Sequence, residues 1–521
     1  MHEELATAAN SVNIWVGVSL VMPIFGGFLG DAYVGRFFMT LFSAILYILA
    51  LLLLIMTQYI PSLKPCNNTT SMSCLNVNKT HKVVFFTAAY LVSIATGGVK
   101  PCLEAFGADQ FDDNHSKERK QKMSYFNWWN VFLNAGGILG VTVIVYLQDN
   151  VGWGAAFILT TTVMGLAVVT FFFSRSFYRY RTAQGSPLTP LLMVLVAALA
   201  KRHLSCPSDS SLLYEVPVSE SRQGQVLSHT NRLRFLDKAA ILEENNIRPA
   251  GKKNKPRRLT TVTQVEELKL IINLIPIWLA SLIFGIGSSQ SQTFFIKQAS
   301  STNRRVSNHF DIPAASLGTL TSIISFITAP IYDKVLVPYL RRKTGNERGI
   351  TILNRIAIGM VLFIMSMMVA ALVESKRLIA LGNGDKLRVF WLAPQVLIIG
   401  LGDTFSLIGL QELFYDQVPD SMRSLGVAFC LSVIGVGGFL SSLLIAIVNS
   451  VTGINSGMKW IGKDVNHSRL DRYYWFLTLI FVLNLGVFIV LIKHYSYKRV
   501  EPIVGDCESR KSDKVVELAN V

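Results

Sequence analysis

The chain has 521 residues, 51% of them hydrophobic and only 16% charged, with a mean hydropathy of +0.42. Soluble domains carry roughly 25% charged residues, so this composition points away from a water-soluble protein and toward a polytopic helical membrane protein. The net charge of +16 does not indicate a nucleic-acid partner, because fifteen of the 49 Lys/Arg fall in one hydrophilic stretch, 175–263, which contains GKKNKPRRL. A basic loop between spans is the ordinary positive-inside signal; lipid headgroup recruitment or a regulatory contact are the other readings of the same residues.

A transmembrane helix needs about 20 mostly apolar residues. Eleven segments meet that length, near 12–30, 37–60, 83–104, 125–147, 153–174, 268–287, 313–332, 350–373, 389–411, 424–448 and 473–492. Leu188–Ala200 is too short to span and reads as an interfacial or packed helix. No cleavable signal peptide is expected, since the first apolar run follows the acidic MHEEL and is long enough to remain as a span. With 175–263 in the cytoplasm, alternation places 106–122, 333–349 and the tail on the same side and 61–82 on the other.

Between the first two spans, GGFLGDAYVGRF forms a tight turn in which Asp31 and Arg36 can pair and bridge helix ends, a gating arrangement or simply a solvated charge pair. The outer loop carries Cys66 and Cys74, either a disulfide or two free thiols, and three glycosylation sequons at Asn67, Asn68 and Asn78. The other four cysteines suggest no metal site.

The third span ends in GGVKPCLEAFGADQFDD. Lys100 lies well inside the apolar run and Pro101 follows it. An intramembrane lysine costs about 2.5–3.5 kcal/mol on insertion scales and usually faces a cavity or a counter-ion; snorkelling to the headgroups is the plainer alternative. The natural counter-ion is Glu412, at a similar offset from a second Asp-Gln exit sequence. The two would pair when the cytoplasmic side closes, and a proton on Glu412 would cancel the attraction; a static buried pair or an interfacial carboxylate is the plainer alternative. Asp403, in GLGDTFSLIG, is a second proton-route candidate.

YFNWWNVFLNAGG opens the fourth span: Trp128 and Trp129 suit an interfacial belt, Asn134 lies deeper as a cavity-lining candidate, and Gly136 and Gly140 form a small-residue contact face. SSQSQTFFIKQ ends the sixth span with Ser288 and Gln292, polar groups that suit a neutral or anionic solute or a wet helix end. There is no ATP-binding glycine loop, no H-E-x-x-H and no catalytic constellation. No enzyme and no cofactor is therefore expected.

The long loop divides the chain into a bundle at 1–174 with five spans, a basic linker at 175–263, a six-span bundle at 264–495 and a tail at 496–521. LEAFGADQF echoes LQELFYDQV, placing Asp109 and Asp416 at equivalent exits as gating candidates, and GDAYVGR echoes YDKVLVPYLRR. The register equates the third span of the first half with the fourth of the second, so the first half lacks its opening helix relative to a six-plus-six repeat.

Taken together, GGVKPCLEAFGADQFDD, SYFNWWNVFLNAG, VEELKLIINLIPIW, TFFIKQ and GLQELFYDQVPDSMRSLG resemble the proton-dependent oligopeptide transporter family, and above all its plant nitrate/peptide transporter branch. The resemblance implies a major facilitator fold and proton-gradient-driven symport of a small solute, such as nitrate or another small anion, a di- or tripeptide, or a related metabolite. The implied partners are that solute, protons and the bilayer of the plasma or vacuolar membrane. It places Lys100 and Glu412 at the family's charged positions in two facing helices. Two departures accompany it. The family's first-helix E-x-x-E-R/K motif does not occur before Val12, which suggests an incomplete gene model, a splice form or lost coupling. The helix after the long loop also lacks the histidine associated with nitrate, with Ser288 near where it would fall. The competing expectation is a truncated or inactive paralogue that acts as a non-transporting sensor or partner-binding protein.

Overall fold

An apolar run placed in lipid has to satisfy its own backbone N–H and C=O groups, and a helix does so within one segment. A computed structural model of the protein describes residues 14–60, 63, 79–112, 115–180, 185–186, 188–205, 213–215, 227–241, 260–307, 310–311, 314, 317–346, 348–456, 460–461 and 465–498. Among these, eleven helices are long and apolar enough to cross a membrane. They are α1 (Ile14–Val34), α2 (Arg36–Tyr59), α3 (Lys79–Ala108), α4 (Lys117–Gln148) and α5 (Trp153–Phe177), followed after the short α6 (Leu188–Ala200) by α7 (Val262–Ser300), α8 (Leu317–Thr344), α9 (Ile352–Gly382), α10 (Val389–Asp416), α11 (Asp420–Thr452) and α12 (Leu470–His494). The only strands among the described residues are the short antiparallel pair Arg305–Ser307 and Phe310–Asp311. Cys66, Cys74, Asn67, Asn68 and Asn78 lie outside the described residues.

The chain clusters into two units, one formed by Met1–Ala183, Ile277–Tyr415 and Ser424–His494, the other by Gln184–Pro276, Asp416–Arg423 and Tyr495–Val521. In the second unit α6 is a packed helix. Its apolar face (Leu191, Val194, Ala197, Ala198) is buried, and it lies against the turn Arg234–Ala240. Lys201, at its end, donates to the carbonyls of Ala239 (3.2 Å) and Ile241 (2.6 Å). Asp237, Glu266 and His229 gather with ligand-like spacing, a grouping that no motif in the sequence announces. The buried Lys269 ammonium sits among them, 2.6 Å from Asp237 and 2.7 Å from Glu266. That ammonium supplies the positive charge such a cluster needs.

In the first unit, helix crossings are set by glycine. At Gly26 a Cβ would lie 2.2 Å from the carbonyl oxygen of Gly97, so α1 and α3 meet backbone to backbone. Gly35, at φ +84°, makes the reversal between α1 and α2 in a region that L side chains rarely occupy. Gly136 and Gly140 behave differently from the sequence expectation. Nothing lies within 4 Å of a Cβ at either, so the predicted contact face of α4 is not made in this structure. Glycine spacing permits close approach without compelling it.

The two echoed segments share a local geometry: Gly30–Val34 and Tyr332–Leu336 are both π-helical turns, with Asp31 and Asp333 each in second position. π-turns widen a helix locally and commonly occur at functional sites. The helix α9 starts on Thr351, whose hydroxyl accepts the Asn354 amide. Thr351→Ala should lower stability by about 1 kcal/mol, the usual worth of an N-cap, as a shift in thermal unfolding with uptake unchanged. Near its other end, buried Glu374 receives two bonds from Arg377 (2.7 and 2.8 Å) and one from Gln298 (2.8 Å), which in turn accepts from Gln395 (2.9 Å).

Candidate functional site

The first unit brings charged groups together where α1 turns into α2. Arg36 donates to Asp31 at 2.8 Å and also pairs with Asp109 at the end of α3. Tyr415 of α10 donates its hydroxyl to the other Asp109 oxygen at 2.9 Å, and the Leu425 amide of α11 donates to Asp31 at 3.1 Å. Two predicted gating residues from the first half thus hold groups of the second half, more than 300 residues away in sequence. The Asp31 side chain has no exposed surface and Arg36 only 8%, so the pair is not the solvated one that the sequence also allowed. A buried cluster lies beneath it: Ala105, Ala108, Phe126, Ala329, Ile408, Tyr415 and Val427, drawn from five spans. Water entering from this end would have to part both layers.

Beside this tie lies a second polar network. Glu412 faces Arg348 (3.4 Å) and Arg355 (3.8 Å). Arg355 donates to Asn127 at 2.9 Å and lies over the Tyr332 ring. Asn127 and Ser124 donate to Asp333 at 3.0 and 2.5 Å. The sequence pairs Glu412 with Lys100, and in this structure that contact is not made. The turn of α10 that carries Glu412 faces Arg355 near the start of α9 and Arg348 in the turn that precedes it. Lys100 is exposed and has no ion pair among the described residues. The arginines were overlooked because nothing in one sequence says which face of α9 meets α10.

The remaining predicted residues fall as follows. Asp403 is half-buried beside Ser288, itself 8% exposed, so two candidates chosen separately meet. Asn134 is tied to its own helix, donating to the Asn130 carbonyl at 2.9 Å and side chain at 2.6 Å. Gln292 is exposed near the end of its helical segment. Asp416 closes α10 and belongs to the second unit. One residue passed over as a site is Glu104, one turn after Lys100. It is 2% exposed, and its Oε1 has no hydrogen-bond partner. An acid in GGVKPCLEAF was the available signal.

A family model described as the POT family matches residues 37–461 of this chain. The chain belongs to the POT family. Among curated relatives, the Arabidopsis thaliana protein NRT1/PTR FAMILY 5.6 is 52% identical over 505 residues, covering 97% of this chain and 87% of the relative. NRT1/PTR FAMILY 5.7 of the same plant is 50% identical, covering 96% and 84%. Among solved structures, an auto-inhibited POT family peptide transporter superposes with a TM-score of 0.61 at 16% identity, covering 96% of this chain and 92% of that one. The POT family transporter PepTSo gives 0.61 at 17% identity, with 94% and 90% covered. These likenesses establish the fold class. This POT family member is an integral multi-pass membrane protein, a transporter of peptides or small solutes rather than an enzyme.

Proposed function

We propose that this POT family member carries a small solute by proton-coupled symport, alternating between forms open to either side of the membrane. The observation that supports it most is the joint hold of Asp31, Arg36 and Asp109 on Tyr415 and Leu425. Such contacts join the two halves of the bundle where α1 turns into α2 and α3 ends, and have to break before that end can open. In this reading the basic loop 175–263 puts that end in the cytoplasm by the positive-inside rule, and these contacts act as a cytoplasmic gate.

Protons enter through acids inside spans. Glu412 as a carboxylate holds Arg348 and Arg355, whereas a proton on it removes that attraction and loosens this contact between α9 and α10. Asp403 beside Ser288 and the buried Glu104 are further stations for a proton. The solute class suggested by hydroxyl and amide groups near Ser288, and by the unpaired cation at Lys100, is a small anion or a short peptide with a free carboxylate.

The test is uptake into proteoliposomes under an imposed pH gradient, screened with nitrate and with dipeptides. Glu412→Gln should lower gradient-driven uptake at least fivefold while solute exchange at equal pH persists, since exchange needs no net proton movement. Uptake that ignores the gradient in the unmodified protein would overturn proton coupling. Equal gradient-driven uptake by wild type and Glu412→Gln would remove Glu412 from the proton route.

A further inference from the structure

The first unit contains a cavity of about 380 Å³ between α4, the end of α8, the start of α9 and α10. Six cationic side chains line it: Lys117, Lys120, Lys334, Arg341, Arg348 and Arg355. Only two carboxylates join them, and both are engaged. Asp333 accepts from Ser124 and Asn127, and Glu412 faces two of the arginines. The lining therefore carries more positive than negative charge in a volume large enough for a small ligand.

One buried group is left short of a partner. Arg355 is 3% exposed, and its guanidinium reaches Asn127 and Glu412, but its Nε–H has no hydrogen-bond partner among the described residues. A buried N–H on a cation is costly to leave unmade, and an acceptor placed in the cavity would satisfy it. Arginine presents its donors in a planar fork that suits phosphate oxygens, with lysines adding charge around it. A phosphomonoester, with a charge of about −1.5 to −2 at neutral pH, matches a mixed Arg/Lys lining better than a single monovalent anion does.

Exposed aromatic rings lie close to the cavity wall. Lys334, one of its walls, sits 5.9 Å over the ring of Trp128, and Lys343 lies 4.9 Å over Tyr339, both rings exposed. Amphipathic aromatics of this kind mark the membrane–water boundary, and basic pockets between spans there suit phosphorylated lipid headgroups. We propose that this cavity binds a phosphomonoester-bearing anion, presented either by a lipid headgroup of the adjoining leaflet or by a soluble phosphate compound. The inference rests on the cavity's chemistry and is independent of the transport reading. A bound phosphate would compete with Glu412 for Arg355.

The full chain would be placed in nanodiscs containing phosphatidylinositol 4,5-bisphosphate, or phosphatidylserine matched for charge. Binding would be read by native mass spectrometry and thermal unfolding, with inositol trisphosphate and inorganic phosphate as soluble competitors. Selective binding of the bisphosphate lipid, displaced weakly by the soluble compounds, supports a headgroup. Equal binding of soluble inositol trisphosphate supports a soluble ligand. In either case Lys120→Gln with Arg341→Gln should weaken binding at least tenfold, and Arg355→Lys, which keeps the charge and removes Nε, should weaken it as well. If Arg355→Lys unfolds the protein, the double variant decides alone. No binding of any phosphate compound by the unmodified protein, or binding that the double variant leaves intact, overturns the proposal.

Discussion

Arg36→Gln is expected to abolish net uptake and to open the closed end of the bundle. Arg36 is a cation shared by Asp31 and Asp109, and all three are buried. Removing one member of a buried ionic group leaves the others uncompensated, at a cost of about 3–5 kcal/mol. That is roughly a hundredfold to several-thousandfold shift in the population of the closed form, at tenfold per about 1.4 kcal/mol. The chain contains its own reporter, since Cys102 is fully buried one helix away, with its sulfur 3.6 Å from the Gly26 carbonyl. Alkylation of Cys102, mapped by mass spectrometry, should accelerate at least a hundredfold in Arg36→Gln. Cys430, which is also buried and free, serves as the internal control for general unfolding. Unchanged labelling together with unchanged uptake would show that the ionic group does not hold this end shut.

The second large effect is expected from Gly26→Val. The new Cβ would meet the Gly97 carbonyl oxygen at 2.2 Å and the Gly98 Cα at 2.7 Å, all backbone atoms that cannot swing aside. Overpacking commonly costs 1–3 kcal/mol, and a backbone-limited clash belongs at or above the top, about 3 kcal/mol. α1 would have to leave α3, carrying Asp31 away from Leu425. The expected result is loss of the monodisperse peak on size exclusion or a sharply lowered unfolding midpoint. Gly136→Ala, with open space around it, should stay within about 0.5 kcal/mol of the parent. A pair of variants that behave alike would show that the α1–α3 crossing is not set by glycine.

The spans were legible because hydropathy and length decide them, and neither depends on what a helix packs against. Eleven were expected and eleven occur among the described residues. The Asp31–Arg36 pair was legible for a similar reason, since its members lie only five positions apart across a glycine turn. Contacts between distant segments were not. Asp109 was picked out by its exit sequence, yet its bond to Tyr415 depends on how two helices are rotated about their axes, which a single sequence leaves open. The same freedom hid Arg348 and Arg355 from Glu412. It also made Gly136 and Gly140 look like a contact face when they meet nothing. The echo between the two halves pointed to equivalent turns, and both are π-helical, a geometry that no residue pattern had specified.

The helix α9 has a mechanical consequence. Its 31 uninterrupted residues extend about 46 Å at 1.5 Å per residue, against a hydrocarbon core of about 30 Å. Arg355 near one end answers to Glu412, while Glu374 and Arg377 near the other are clamped to Gln298 and to Asn466. An unbroken rod held firmly at one end acts as a lever with its fulcrum at Arg377. In the proposed mechanism a proton on Glu412 would weaken one of the holds on Arg355, so that a charge change at one carboxylate is felt along the length of a whole helix.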